Sequence, residues 1–564
     1  MKKRGLIQPN ILIHFKDFNF DKIPDIQSLI GRFERLELVY FALEIINNKS
    51  LSSGYRKICS RLFPFDNGEK MMRLIDKELN IAYEDIAEHH LVCMQTGLEL
   101  LNILLCCSPV HKPWDFDKIP NGAEIKGINL LTILLLVNER IINDIDVPVK
   151  NENPDISAKD ILANVVAPTL VENSDYSNFD IVTSPLVYLY KSTLFLEFCA
   201  THPLLSPALN KVLEKYGCND IRTFLTVISG LFLESVNSKN NYCRFVFSEE
   251  KPAPKFFKEL SFSMNSSPIR EDQNIDYSFF RAYPLISISE NEYVIVCIPF
   301  LFGKLYQSLV FDLSKQIGDG NKVREIISTE FSEQKLLFPL LRGSIAPKSP
   351  INLSGNDCDL IKKDSAPDYY VRNWNSSFLF ELKDYSFRAK EKTSLSYEVL
   401  SNYLYSQFVV KKNGRGGAIR QLVNNVKAII ENDFAWDKDA HPKHIYPVLV
   451  LGNQNYLNYG ITYLLNRFFK QELKSCGVES NSVSDLIIID IDTLILYNDI
   501  FSRYSFEKIV KQYFVKIQRH LKSADVLERL FGFMQPFPEY MKQKYPLTSE
   551  HLAKNIKKLN TWKS

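Results

Sequence analysis

The chain has 564 residues, of which 45% are apolar and 24% are charged. This composition excludes a disordered or collagen-like chain and is typical of a globular protein. The formal net charge of +2 gives no overall attraction to nucleic acid, so a basic surface for such a partner must be local.

The length predicts two to four domains, and the cysteines indicate the compartment. Ten cysteines are scattered without a C-x-x-C pair, which favours buried, reduced thiols in a cytoplasmic protein over a disulfide framework or zinc ribbon. The most apolar windows, Leu98–Cys107 and Ile128–Val137, are too short for a bilayer span. No apolar segment follows the basic N-terminus, so we expect neither a secretory signal nor membrane insertion.

Residues 1–245 are predicted to form an α-helical region. Apolar residues recur at helical spacing in Leu29–Leu43, Leu91–Cys107, Ile128–Ile142, Leu186–Phe198 and Ile221–Val236. The adjacent pair His89-His90 does not predict a metal site, because neighbours in a helix point in different directions. We interpret this region as an interaction or scaffold domain, and leave open a protein partner or a second copy of the chain as what it binds.

Residues 246–320 are predicted to be a connecting region. It follows the polar, proline-containing stretch Ser238–Lys255, which predicts a boundary. A β-hairpin is expected over residues 285–298 with its turn at Glu290-Asn291, followed by a helix from Pro299 toward Gln316.

Residues 321–500 are predicted to form an α/β domain. The pattern favours a helix over Val323–Phe338 and a first strand within Gly355–Lys363. Asp357 and Asp359 in that stretch are interpreted as an Asp-rich turn in preference to metal ligands. Further along, the expected elements are the strands Ile445–Leu451 and Leu486–Ile491, with the helix Tyr456–Cys476 between them.

A second hairpin carries the chemistry of this domain. Aromatic and β-branched residues flank the polar turn Trp374-Asn375-Ser376-Ser377. Pairing centred between Asn375 and Ser376 places Lys383 opposite Asp368 and Glu381 opposite Tyr370. Because side chains alternate along a strand, Asp368, Glu381 and Lys383 then share one face, whereas a one-residue slip would separate them.

Two carboxylates and a lysine on one face suit a divalent cation and its water. Mg²⁺ and Mn²⁺ prefer oxygen ligands, and a nearby lysine can orient water or offset developing negative charge. Short E-x-K strings are common and often mark a solvated strand. Here the neighbours of Glu381 and Lys383 are apolar, which predicts buried charges that need partners.

Pro367-Asp368 followed by Glu381-Leu382-Lys383 resembles the signature of the PD-(D/E)xK nuclease superfamily. The resemblance implies a restriction-endonuclease-like α/β fold with a mixed central sheet. It also implies that Asp368 and Glu381 hold Mg²⁺ or Mn²⁺ while Lys383 assists the water that hydrolyses a phosphodiester. DNA is the preferred substrate, RNA stays open, and such nucleases fused to helical regions are frequent in prokaryotic antiviral defence.

The resemblance also implies two supporting residues. The superfamily core opens with a helix that often supplies a further glutamate, for which Glu330 and Glu333 are candidates. We prefer Glu333 as a metal ligand, because apolar residues follow it at +3, +4 and +7, although a surface glutamate is an equal alternative. A glutamine often lies on the helix after the lysine strand, and Gln421 occupies that position as a catalytic candidate or as a surface residue.

A basic stretch follows the hairpin. Residues 381–427 contain nine Lys or Arg and four acidic residues, interleaved with tyrosines, a pattern typical of nucleic-acid contacts. The glycines of residues 413–417 precede a predicted helix, Ala418–Glu431, whose N-terminus would favour phosphate. The predicted nucleic-acid-binding residues are Lys411, Lys412, Arg415 and Arg420. The alternative is a solvated helix over Tyr397–Val410.

Residues 501–564 form a predicted basic helical extension. From Glu507 onward there are twelve Lys or Arg and five acidic residues, so the tail either contacts nucleic acid or is a solvated helical cap. The whole chain is therefore predicted to be an α-helical N-terminal region followed by a nuclease-like α/β domain. The competing function is a non-catalytic nucleic-acid-binding or assembly scaffold that keeps the nuclease fold.

Overall fold

The computed structural model describes most of the chain. The described residues are 10–18, 22–48, 54–63, 67–79, 88–107, 113–143, 158–238, 241–264, 268–270, 273–346, 349–362, 365–384, 386–411, 414, 416–452, 454–548, 550–552 and 554. The chain divides into two compact units. One comprises residues 8–145 and 206–316, and the other comprises residues 1–7, 146–205 and 317–564.

The first part of the chain, through residue 205, is mainly helical. Its strands and helices are β1 Asn10–Leu12, α1 Ile26–Ile30, α2 Arg35–Ile46, α3 Tyr55–Leu62, α4 Asn67–Leu79, β2 Glu88–His90, α5 Met94–Cys106, α6 Gly122–Asn143, α7 Ala158–Glu172, α8 Ser174–Ser177 and α9 Thr183–Thr201. The helices expected from apolar spacing are present, but the stretch Leu29–Leu43 is divided between α1 and α2 by the turn at residues 31–34. His89 and His90 lie in a short strand parallel to β1 and not in a helix.

The middle part completes the first unit. Its elements are α10 Leu205–Lys215, α11 Ile221–Asn237, β3 Arg244–Val246, α12 Lys255–Glu259, β4 Ser261–Ser263, α13 Ser278–Ala282, β5 Leu285–Ser289, β6 Glu292–Ile295, α14 Ile298–Gly303 and α15 Gln307–Ile317. The antiparallel hairpin of β5 and β6 is confirmed. The single helix expected after it is two helices, α14 and α15.

The last part contains the hairpin of interest. Its elements are α16 Gly320–Ile326, a π-helix Ile327–Leu337, α17 Phe338–Ser344, β7 Ile351–Ser354, α18 Gly355–Ile361, β8 Tyr369–Asn373, β9 Ser376–Lys383, α19 Ala389–Lys392, α20 Tyr397–Phe408, α21 Ala418–Ile430, β10 His444–Leu451, α22 Tyr459–Ser475, β11 Ile487–Asp490, α23 Ile491–Leu496, α24 Asn498–Arg503, α25 Phe506–His520, α26 Val526–Phe531 and α27 Phe537–Lys544. The protein is therefore of mixed α and β structure.

Strands β7 to β11 form a mixed sheet in the order β11-β10-β9-β8-β7. The β7-β8 and β8-β9 pairs are antiparallel, and the β9-β10 and β10-β11 pairs are parallel. The expectation of a strand within Gly355–Lys363 is wrong. Ser354 and Asp357 form a reciprocal capping box that starts α18 at Gly355. Strand β7 therefore ends at Ser354, one residue before the predicted stretch begins.

The hairpin of β8 and β9 is confirmed, but its predicted register is wrong by two residues. Tyr369 pairs with Phe380, and Asn373 pairs with Ser376, so the loop is Trp374-Asn375 alone. Ser376 and Ser377 belong to β9, where both are buried. A shift of two residues preserves the alternation of faces.

Helices cover both faces of the sheet. On one face, Tyr370 and Leu379 pack in a core with residues of α20, α21, α22 and α7. On the other face, the Phe378 ring lies 4.8 Å from Tyr446 and 5.6 Å from Phe506 at the start of α25. Glu381 lies two residues after Leu379 in β9, so its side chain points to the same face of the sheet, the one that carries α21.

The helix predicted over Val323–Phe338 is present, but its middle is a π-helix. Pro339 gives a physical reason, because it has no N–H for the carbonyl four residues earlier and its ring crowds that carbonyl. Phe338 N–H instead donates to Glu333 O, five residues back. Widened turns of this kind are frequent at functional sites.

Two predictions from composition concerned the cysteines and the length of the apolar helices. All ten cysteines are free, and five of them are buried. Among the described residues, no helix combines the length and the apolar character needed to cross a bilayer.

Candidate active site

The main chain fixes Asp368 just before β8. Its carbonyl oxygen accepts a hydrogen bond from Gly355 N–H at 2.8 Å. Its Oδ2 accepts one from Leu382 N–H at 2.6 Å. Burial raises the pKa of Asp368, while the ammonium of Lys383 and the Leu382 N–H act to lower it. The main-chain carbonyl of Asp368 is thus held by Gly355 at the start of α18, and its carboxylate is held by Leu382 of β9.

Glu381 is the most deeply buried member of the site. Its side chain is 0% exposed, and its Oε2 lies 3.5 Å from Lys383 Nζ. In the described part of the chain, Oε1 has no hydrogen-bond partner. Burial and the Asp368 carboxylate raise the pKa of Glu381 well above its usual range, whereas Lys383 acts against that rise. An orphaned buried carboxylate oxygen is costly unless a proton or a cation satisfies it.

The π-helix brings a third carboxyl group to the same place. Burial, followed by the Asp368 carboxylate, raises the pKa of Glu333 to about 8, while Lys383 lowers it. Glu330 is half-exposed and its Oε2 lies 3.6 Å from His202 Nε2. Of the two candidates, Glu333 belongs to the site and Glu330 does not. We call Glu333, Asp368, Glu381 and Lys383 the carboxylate cluster.

The donor set of the carboxylate cluster fits a hard divalent cation. Mg²⁺ takes oxygen ligands, and one or two carboxylates with several waters are enough to hold it. Asp368 and Glu381 supply such oxygens, including the unpartnered Oε1 of Glu381. Among the described residues, no group of three or more His, Cys, Asp or Glu side chains is placed to hold a metal ion.

A contact that sequence reasoning missed ties the π-helix to β9. The hydroxyl of buried Ser332 donates to Asp384 Oδ2 at 2.6 Å. Ser332 immediately precedes Glu333 in the chain, and Asp384 immediately follows Lys383. A Cβ atom at Gly452, which follows β10, would overlap the Asp384 carboxylate. Gly452 N–H also donates to Lys383 O at 3.0 Å. A glycine after a strand and an aspartate after E-x-K were the only sequence signals for this contact.

Sequence reasoning also missed a group of charged residues around Lys191, on which Asp384 acts electrostatically. Lys191 of α9 is nearly buried, and its Nζ lies 2.8 Å from Asp492 Oδ1. Burial would lower the pKa of Lys191, but Asp492, Asp384 and Asp490 raise it above the normal value. Burial, then Asp492, raises the pKa of Asp490 to about 6. Asp490 and Lys383 both pair with Leu451 of β10, so these charged side chains lie at the same edge of the sheet as Lys383.

Gln421 is not brought into the carboxylate cluster by any contact in the described residues. It is half-buried in the first turn of α21, and its N–H donates to Gly417 O at 3.0 Å. Neighbouring residues of α21 pack against the Leu379 side of the sheet. The catalytic role of Gln421 stays a prediction.

The predicted nucleic-acid-binding residues separate into three groups. Lys411 is half-buried after α20, and Lys412 and Arg415 lie outside the described residues. Arg420 is engaged by Glu472, with Nε and Nη2 at 2.9 and 2.8 Å from Oε2. Lys392, also counted in the basic stretch, is buried against Asp175. The excess of positive charge available to a ligand is therefore smaller than the sequence count.

Comparisons of the chain with protein-family models, with curated proteins and with solved structures find no match.

Proposed function

We propose that this protein is a metal-dependent nuclease that hydrolyses phosphodiester bonds at the carboxylate cluster, with DNA as the preferred substrate. The observation that carries the proposal is the arrangement of Glu381. It is a fully buried carboxylate with one orphaned oxygen, one lysine at 3.5 Å, and two further acidic side chains that raise its pKa. A structural ion pair would not need the extra carboxylates.

The arrangement also supports the restriction-endonuclease-like interpretation of the fold. A long helix precedes three antiparallel strands, the motif lies on the second and third of these, and α21 and the parallel strand β10 follow. The glutamate expected on the opening helix and the acidic pair on the hairpin belong to one electrostatic group.

Each residue has a role that follows from its surroundings. Asp368 and Glu381 would hold Mg²⁺ or Mn²⁺, with Glu333 beside them. The bound cation would polarise the phosphate and lower the pKa of a coordinated water. Lys383, which is partly exposed, offers a positive charge to the phosphate where negative charge develops. Glu333, with a pKa of about 8, holds a proton near neutral pH in the metal-free protein.

Incubation of the purified chain with plasmid DNA, single-stranded DNA and RNA tests the proposal. Each substrate is incubated with Mg²⁺, with Mn²⁺ and with a chelator. We expect cleavage of DNA only with a divalent cation, and loss of cleavage in Asp368→Asn. The matched control is Asp359→Asn, because Asp359 is an exposed aspartate of α18. Cleavage by Asp368→Asn at the wild-type rate would overturn the proposed site.

The non-catalytic scaffold is the other outcome of the same experiment. A chain that binds DNA but cleaves no substrate with either cation would be a binding module, and the carboxylate cluster would then be a structural feature.

A further inference from the structure

The second basic feature of this unit is an open groove between α25 and α27. Its volume is about 980 Å³, and its lining includes Lys508, Lys511, Lys516, Arg519 and Lys544, with Glu507 as its one acidic residue. We call these residues the basic groove. None of them belongs to the carboxylate cluster or to the stretch Lys411–Arg420.

Helical spacing explains why the charges share one surface. Lys508, Lys511, Lys516 and Arg519 recur at intervals of three to five residues, which places them along one stripe of α25. Phe506, Ile509, Val510 and Tyr513 are buried on the opposite side. The apolar side packs into the protein, so the basic stripe is fixed toward solvent.

Neutral groups, and not carboxylates, orient the two inner lysines. Lys516 Nζ donates to Gln543 Oε1 at 2.5 Å. Lys544 Nζ donates to Tyr540 Oη at 3.0 Å and also bonds Gln512. Both ammonium groups lie 5.5–5.6 Å from the centre of the Tyr540 ring. Their positive charges are held in place without being neutralised.

Among the described residues, most basic side chains of the groove also lack an acidic partner in a salt bridge. Lys511 Nζ lies 2.7 Å from Glu507 Oε1. Among the described residues, no acidic group forms a salt bridge with Lys508, Lys516, Arg519 or Lys544. Burial, followed by nearby Lys508, lowers the pKa of Lys544. Burial also lowers the pKa of Lys516, with Lys544 acting in the same direction and the carboxylates of Glu528 and Glu539 acting against it. Like charges are therefore concentrated where a ligand anion would relieve them.

The row of charges fits a linear polyanion better than a small one. From Lys508 to Arg519 the helix rises about 16 Å, a length over which one strand of B-form DNA advances by roughly five phosphates along the duplex axis, at ~3.4 Å each. We propose that the basic groove is a second nucleic-acid-binding site that contacts the phosphate backbone. The choice of nucleic acid as the polyanion rests on the proposed nuclease function, whereas the anion-binding character of the groove does not.

The position of α25 separates this binding site from the chemistry. Phe506 packs on Phe378, on the face of the sheet opposite to Glu381. The basic groove therefore holds a part of the substrate away from the scissile phosphate. Removal of the basic charges of the groove should weaken DNA binding and leave the rate of bond cleavage at saturating DNA unchanged.

The test uses the full chain and a labelled DNA oligonucleotide in a chelator, with binding followed by fluorescence anisotropy at several salt concentrations. The variant is Lys508→Gln/Lys511→Gln/Arg519→Gln, because all three side chains are exposed and the bonds of Lys516 and Lys544 remain. We expect the affinity to fall about tenfold near 0.1 M salt and the slope of log K against log salt to fall by about two to three.

The control Lys211→Gln/Lys251→Gln/Lys258→Gln removes the same charge from exposed lysines of the other unit, and its affinity should stay near wild type. An unchanged salt slope in the groove variant, or an equal loss in the control, would overturn the proposal. So would groove-dependent binding to phosphatidylserine vesicles in place of DNA. If the groove variant loses DNA binding but the wild-type chain cleaves no DNA with Mg²⁺ or Mn²⁺, the proposal for the basic groove stands and the nuclease proposal fails.

Discussion

The N–H of Leu382 donates to Oδ2 of Asp368 at 2.6 Å, which ties the start of one strand to the peptide between Glu381 and Lys383. The bond uses a single oxygen of Asp368 and a rigid main-chain donor. The relative positions of Asp368 and Glu381 are therefore set by the hairpin itself, before any cation binds. This preorganisation is what a metal-dependent site needs.

The first prediction concerns Glu333 and the stability of the metal-free protein. Its pKa of about 8 in the folded chain, against the ordinary value of 4.5, means that the folded state binds more protons between these pH values. Its contribution to the free energy of unfolding is thus fully present below pH 4.5 and is lost as pH rises through about 8. Glu333→Gln does not titrate, so we expect it to exceed wild type by at least about 1 kcal/mol at pH 8.5.

Urea unfolding at pH 4.5 and 8.5 in a chelator measures this difference. Glu330→Gln, on the same π-helix but facing His202, is the control and should follow the wild-type pH dependence. Equal pH dependence in wild type and Glu333→Gln would show that Glu333 is not held among other carboxylates.

A second prediction concerns metal binding. Asp368 and Glu381 both have raised pKa values, and carboxyl groups must lose their protons to bind a cation. The affinity for Mn²⁺ or Mg²⁺ should therefore rise as the pH rises toward about 8, the pKa of neighbouring Glu333, with release of protons. Calorimetric titration in buffers of different ionisation enthalpy measures both quantities. Affinity that does not change as the pH rises, with no proton release, would contradict the assignment.

The third prediction tests the contact of Ser332 with Asp384. A methyl group at Gly452 would overlap the Asp384 carboxylate, so Gly452→Ala should displace Asp384 and loosen the π-helix. We expect a loss of about 1–3 kcal/mol in stability and weaker metal binding. Gly230→Ala in α11 is the matched control, since a Cβ there meets no atom within 4 Å. It should be neutral or stabilising by about 0.5–1 kcal/mol. Similar behaviour of the two variants would remove the role given to Asp384.

Local pattern was enough to predict much of the hairpin. Two runs of aromatic and β-branched residues around a polar turn predicted two paired strands. The shared face of Asp368, Glu381 and Lys383 survived the two-residue error in register. The error arose because Ser376 and Ser377 read as turn residues. In the structure both are buried strand residues, and Ser377 bonds the Tyr370 hydroxyl, so tertiary packing overrode turn propensity.

Long-range relationships could not be predicted from local pattern. Lys191 and Asp492 are 301 positions apart, and neither residue carries a motif. The salt bridge from Arg420 to Glu472, 52 positions along the chain, likewise had no local sign in the sequence. The predicted phosphate contact of Arg420 stays a prediction. The π-helix had one local sign, Pro339, but its effect on Glu333 depends on the sheet against which that helix packs.

Single-turnover cleavage of labelled DNA over a range of Mg²⁺ concentrations tests the central claim most directly, using wild type, Glu381→Ala and Lys383→Ala. Glu381→Ala removes a ligand, so its cleavage should fall sharply and require more Mg²⁺. Lys383→Ala should bind Mg²⁺ nearly as wild type does and bind DNA normally, yet cleave far more slowly, because the lysine acts mainly in the transition state. Wild-type cleavage rates in both variants would place the active site elsewhere and contradict the account.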